Sequence, residues 1–168
     1  TRPPGGRLDP GSAERLQSSS DLTFQGTSTR LAEAIEPNAD ATEWTITLRE
    51  GAQFSDGRPV RPEDVMFSYD RIRDPQDPKS GAASISHIDS MEVLDNRRLL
   101  IRLAVADAAL VDSLAEYQMG IVPEDYDPEH PIGAGPFTLE DFTAGQSTTL
   151  VRNDNYWGER PKLQGVTC

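Results

Sequence analysis

The stretch "WTITLREGAQFSDGRPVRPEDVMFSYDRI", residues 44–72, holds two different periods within 29 positions, and those two periods decide the fold. Trp44, Ile46 and Leu48 alternate with Thr45, Thr47 and Arg49, the period of a strand with one buried face, and Gly51 ends that strand. A turn follows at Asp56-Gly57. Pro62 then suits the first helical position, and Glu63 and Asp64 stand where a helix dipole favours negative charge. Val65, Tyr69 and Ile72 recur at helical spacing and face the core. The helix stops at "DPQDPKSG", where Pro75 and Pro78 remove donors and fix the backbone.

Outward from this unit, "IDSMEVLDNRRLLIRLAV" (88–105) reads as a hairpin. Met91 and Val93 alternate, Asp95-Asn96 turns the chain, and Leu99, Ile101 and Leu103 alternate back. "ADAALVDSLAEYQM" (106–119) predicts a short amphipathic helix beginning near Ala108, with Leu110, Leu114 and Tyr117 on one stripe. "GPFTLEDFTAGQSTTLVRN" (135–153) predicts two strands around Ala144-Gly145. Residues 1–20, rich in Pro, Gly, Ser and Arg, read as an extended lead-in, and residues 21–168 as a single lobe. The class is α+β: a mixed or antiparallel sheet with a few helices, and no internal repeat.

Composition excludes several functions. Lys and Arg number 16 against 28 Asp and Glu, a net charge of -12, so the basic surface that nucleic acid requires is missing. No apolar run reaches the roughly 18 residues of a membrane-spanning helix. The single cysteine, Cys168, permits no internal disulfide. His87 and His130 lie outside any metal-ligand spacing, and the serine-hydrolase and phosphate-loop motifs are absent, which leaves no cofactor and no enzyme chemistry to assign. Asp74 and Asp77 miss the calcium-loop spacing and read as a solvated turn. "GAGPF" (133–137) has two glycines and precedes a strand, so it reads as a tight turn rather than a dinucleotide loop.

In order, "LAEAIEPN" (31–38), the opening stretch, "IGAGPFTLEDF" (132–142) and "LVRNDNYWG" (150–158) resemble the solute-binding proteins of family 5, the oligopeptide, dipeptide and nickel receptors of ABC importers, with weaker support from "LDP" (8–10). The sequence departs from that pattern at Arg61-Pro62, where a capping Ser or Thr is usual, at Ala134, where Thr is usual, and between "LDP" and "DLTF", which are closer together. The resemblance implies part of a type II periplasmic-binding-protein-like lobe whose second lobe lies outside this chain. It implies non-catalytic capture of a peptide or other small solute outside the cytoplasm, in the periplasm or as a cell-surface lipoprotein, and delivery to an ABC permease. Membrane association then rests on an anchor outside this chain.

The resemblance also directs attention to loops facing a cleft. The candidate ligand contacts are Ile85, Ser86 and His87 in "ISHI", and His130, Gly133, Ala134 and Gly135 on the approach to "GAGPF". The "RNDNYWG" stretch is expected to close the fold, with Asn153 and Asn155 bonding nearby backbone and Trp157 mostly buried against the last strands. The competing reading is a free-standing α+β interaction or scaffold module that captures no solute.

Overall fold

The structure, a computed structural model, describes residues 31–128, 130–143 and 146–167. The expected lead-in, "LDP", "DLTF" and the Ala144-Gly145 turn lie outside the described residues.

The two periods of the opening stretch become β2 (Glu43–Leu48) and α1 (Pro62–Ile72). Before them runs β1 (Ala32–Pro37), and after them come a 3-10 turn (Ala82–Ile85), the hairpin β3 (Ile88–Val93) and β4 (Arg98–Leu103), and a short α2 (Leu110–Leu114). Then follow β5 (Phe137–Thr143), β6 (Ser147–Arg152) and β7 (Gly165–Thr167). The strands form two sheets, β1-β2-β4-β3 and β5-β6-β7, and every pairing among the described residues is antiparallel.

The first sheet carries the core. Trp44 lies directly opposite Ile101 and Ile46 opposite Leu99, so alternation on both strands delivers one continuous apolar face. Val65, Tyr69 and Ile72 of α1 pack there with Ile85, Leu110, Leu114 and Met119, all buried. Trp44 sends its indole N–H to the carbonyl of Asp107 (3.2 Å), which satisfies the ring's polar atom. At the hairpin turn the Asp95 carboxylate accepts the backbone N–H groups of Arg97 and Arg98, each at 2.9 Å. The Arg97 N–H and the Arg98 guanidinium hold that carboxyl below its usual pKa.

Helix α1 is capped in a way the Arg61-Pro62 departure conceals. The Arg61 side chain makes no cap bond; instead the Asp64 carboxylate reaches back to the Arg61 N–H at 2.8 Å. Asp64 is buried, and its other oxygen accepts the N–H of Glu124 at 3.2 Å. One turn on, the Ser68 hydroxyl donates to the Asp64 carbonyl (2.7 Å) and accepts the Val122 N–H (2.9 Å). Both residues therefore fasten residues 122–124 to the helix. In the "DPQDPKSG" turn, the Asp74 side chain accepts the Gln76 N–H at 2.8 Å and Asp77 pairs with Lys79.

One expectation requires correction. Helix α2 ends at Leu114, so Tyr117 leaves the helical stripe and is 85% exposed, while fully buried Met119 takes the place expected of it. Strand β1 shows no clean alternation in sequence, because a bulge between Ala32 and Ala34 breaks it.

Candidate functional site

Three sequence motifs meet at one junction. In "FSDG" the Phe54 ring is buried, its N–H bonds the Arg58 carbonyl (2.8 Å), and Gly57 returns its N–H to the Phe54 carbonyl (2.9 Å) at φ +86°, a conformation glycine adopts without strain. The turn presents both backbone groups of Ser55 outward. Its N–H donates to the Gly133 carbonyl at 2.8 Å, and its carbonyl accepts the Asn155 side-chain amide at 2.9 Å, across 100 positions of sequence.

Asn153 completes the junction and is buried at 4% exposure. Its N–H donates to the Pro136 carbonyl (3.0 Å), its side-chain NH2 to the Gly135 carbonyl (2.8 Å), and its side-chain oxygen accepts the Asn155 N–H (2.9 Å). A buried amide so fully engaged holds the end of β6 against the "GAGPF" turn. Both asparagines bond backbone as expected, but only the Asn155 N–H to Asn153 contact is local; Gly135 and Ser55 lie 18 and 100 positions away.

Trp157 differs from its expectation. It is half-buried, and it packs against the core of the first sheet rather than the last strands, because the chain folds back at Asn153. The Arg49 guanidinium lies 5.2 Å from its ring centroid, and the Tyr156 ring is tilted beside it at 5.1 Å. A side chain at Gly158 would fall 2.7 Å from the Tyr156 ring, so glycine is what lets that ring lie across the chain. Trp157→Ala is expected to cost about 2 kcal/mol in denaturant melts, below the 3–5 kcal/mol of a fully buried aromatic. A loss below about 0.5 kcal/mol would remove its packing role.

The candidate ligand residues divide between two settings. Ile85 is fully buried, so its side chain serves the core and offers no surface. Ser86 is exposed and its hydroxyl bonds the Ala83 carbonyl at 2.9 Å. His87 Nε2 lies 3.0 Å from an Asp107 carboxylate oxygen, bringing the approach to β3 beside the segment after β4. His130 is 82% exposed at its side chain, with Nδ1 2.9 Å from Asp127. Gly133 is exposed, while Ala134 packs partly against the core and Gly135 is half-buried. Of these residues the junction engages only Gly133 and Gly135, through their carbonyls. An open groove of about 650 Å³ beside the end of α1 is lined by Ser86 with Asp70, Arg73 and Ala83, but Arg73 already pairs with Asp70 and with the Ile88 carbonyl. Among the described residues no group of three or more His, Cys, Asp or Glu is placed to hold a metal ion.

Sheet β5-β6-β7 has a different character. Directly opposed residues share a face, so Phe137, Leu139 and Phe142 of β5 stand with Arg152, Leu150 and Thr148 of β6 and Val166 of β7. Phe142 joins that face because a bulge between Leu139 and Asp141 shifts the register. Leu139 and Phe142 are 38% and 63% exposed, and the opposite face carries Thr138, Asp141, Ser147 and Thr149 with Val151.

The model of the bacterial extracellular solute-binding proteins, family 5 Middle, matches residues 27–168, and this chain belongs to that family. The nickel-binding periplasmic protein of Escherichia coli is 28% identical over 146 residues, covering 82% of this chain and 28% of that protein. The solved structure of the PBP AgaA from A. tumefacien, in complex with agropinic acid, is 34% identical with a TM-score of 0.76, covering 82% of this chain and 29% of that one. The oligopeptide-binding protein AppA from Bacillus subtilis, in complex with a nonapeptide, shares the fold at a TM-score of 0.74 and 24% identity, over 82% of this chain and 30% of that one. The chain spans under a third of the length of these relatives. The family and the relatives named are solute-binding proteins, not enzymes.

Proposed function

We propose that this chain is one lobe of the substrate-binding component of an ABC importer, which captures a peptide outside the cytoplasmic membrane and hands it to a permease. One observation carries the reading: the sheet β5-β6-β7 is tied to the first sheet's unit by the junction, yet on its more apolar face Leu139 and Phe142 stand 38% and 63% exposed beside half-buried Leu150 and Val166. A face of this kind is completed by further polypeptide. In a family-length protein that polypeptide supplies the second wall, and closure of two lobes about a hinge buries the solute between them. Within this reading exposed His130 and Gly133 beside the junction, with Ser86 and His87 at the rim of the 3-10 turn, form the surface offered to the solute. Peptide backbones bind such walls partly as an added strand.

Peptide cargo is favoured by the Brucella ovis relative, a putative ABC transporter peptide-binding protein that is 29% identical over 145 residues. A small organic acid is the second reading, favoured by the higher identity to AgaA. A thermal-shift screen of a polypeptide extended to family length separates them, because a ligand bound only by the folded form raises its melting temperature. Short peptides are expected to raise it and agropinic acid to leave it unchanged. The reverse replaces peptide with organic acid, and no shift from any solute class supports the scaffold module.

A further inference from the structure

Asp56-Gly57 is the only Asp-Gly step in the sequence. Among aspartyl steps this is the one most prone to cyclise, because glycine leaves its own amide nitrogen unhindered. That nitrogen attacks the aspartate side-chain carbon, an N–C bond forms, a C–O bond breaks, and the amide proton leaves with the hydroxyl as water. The cyclic succinimide takes water back at either carbonyl. One product is aspartate and the other isoaspartate, whose main chain runs through the former side chain and is one carbon longer. No oxidant or co-reactant enters.

Here both partners of the reaction are engaged elsewhere. The Gly57 N–H is committed to the Phe54 carbonyl at 2.9 Å. One Asp56 oxygen accepts the Arg58 N–H at 3.1 Å and the other meets the Arg58 Nε at 2.5 Å. Asp125 holds the same guanidinium from the far side, both its oxygens 2.9 Å from Nη1. Closure needs a protonated carboxyl, since hydroxide is a poor leaving group. Burial pulls the Asp56 pKa upward, but hydrogen bonds from the Arg58 backbone and side chain outweigh it and leave the pKa below the ordinary value. The position is also sensitive, for Ser55, the residue before it, supplies both backbone groups that bind Gly133 and Asn155.

We propose that Asp56-Gly57 is a latent modification site, held against succinimide closure by the Arg58 clamp, and that its conversion to isoaspartate releases Ser55 from the junction. The 168-residue chain, its Arg58→Gln and Arg58→Lys variants, and a synthetic peptide of sequence FSDGRPV are incubated at mildly acidic pH, far below the melting temperatures. Isoaspartate is then counted by peptide mass spectrometry. Arg58→Gln is expected to isomerise about tenfold faster than the wild type, the factor that loss of one charge-assisted hydrogen bond carries, and to stay slower than the free peptide, in which the Gly57 N–H is released as well. Arg58→Lys, which keeps the charge and loses the fork, falls between.

Hydrogen exchange of the core amides on β4 separates the clamp from general loosening. Acceleration without faster core exchange supports the clamp; equal rates in wild type and Arg58→Gln, or acceleration that follows core exchange, overturn it. The isomerised fraction, separated by ion exchange, is expected to lose protection at the Ser55 amide. Protection retained there overturns the release.

Discussion

Replacing Phe54 with alanine is expected to destabilise the chain by about 3–5 kcal/mol, the cost of deleting a fully buried aromatic side chain. Phe54 is 1% exposed and opens the turn from which Ser55 reaches the junction. The cavity therefore forms next to the turn whose Ser55 holds the "GAGPF" and "NDNYWG" segments, and that contact is expected to loosen with the core. Phe142→Ala removes the same side chain from a position 63% exposed and is expected to change stability by less than about 0.5 kcal/mol. Urea melts of the two variants decide the matter. Equal losses would mean that the β5-β6-β7 face is covered and that its apolar residues form a second core.

The contrast between these phenylalanines marks where sequence reasoning reached and where it stopped. The strand and helix of residues 44–72 were legible because each has an undisturbed period and a clear stop, and the hairpin at Asp95 because its turn residue caps its own backbone. Strand β1 and the apolar face of β5 were hidden by bulges, since one extra residue reverses which positions share a side. The three residues of β7 are too few to show any period. Tyr117 kept helical spacing in a segment whose helix had already ended, and spacing alone cannot report that stop.

The junction was half legible. Asn153 and Asn155 were identified as residues that bond backbone, which their short amide side chains favour. Their partners lie elsewhere in the chain: Gly135 is 18 positions away and Ser55 is 100. No local pattern encodes that distance. Ile85 shows the opposite failure, an isolated apolar residue in a loop-like stretch that the fold buries completely. The buried carboxylate of Asp64 had a visible sign, an acid three residues after the helix's preceding position, but its second role on Glu124 depends on a return of the chain 60 residues later.

The two-walled reading makes the largest claim about binding. A closure-type receptor gains much of its affinity by excluding water on both sides of the solute, and one lobe leaves one side wet. The most direct measurement is isothermal calorimetry with di- to pentapeptides on the 168-residue chain and on a polypeptide extended to family length. The shorter chain is expected to bind no better than millimolar, about -4 kcal/mol, and the extended one to reach micromolar or tighter, about -8 kcal/mol or beyond. Micromolar binding by the 168-residue chain alone would contradict the account and leave a self-sufficient module in its place.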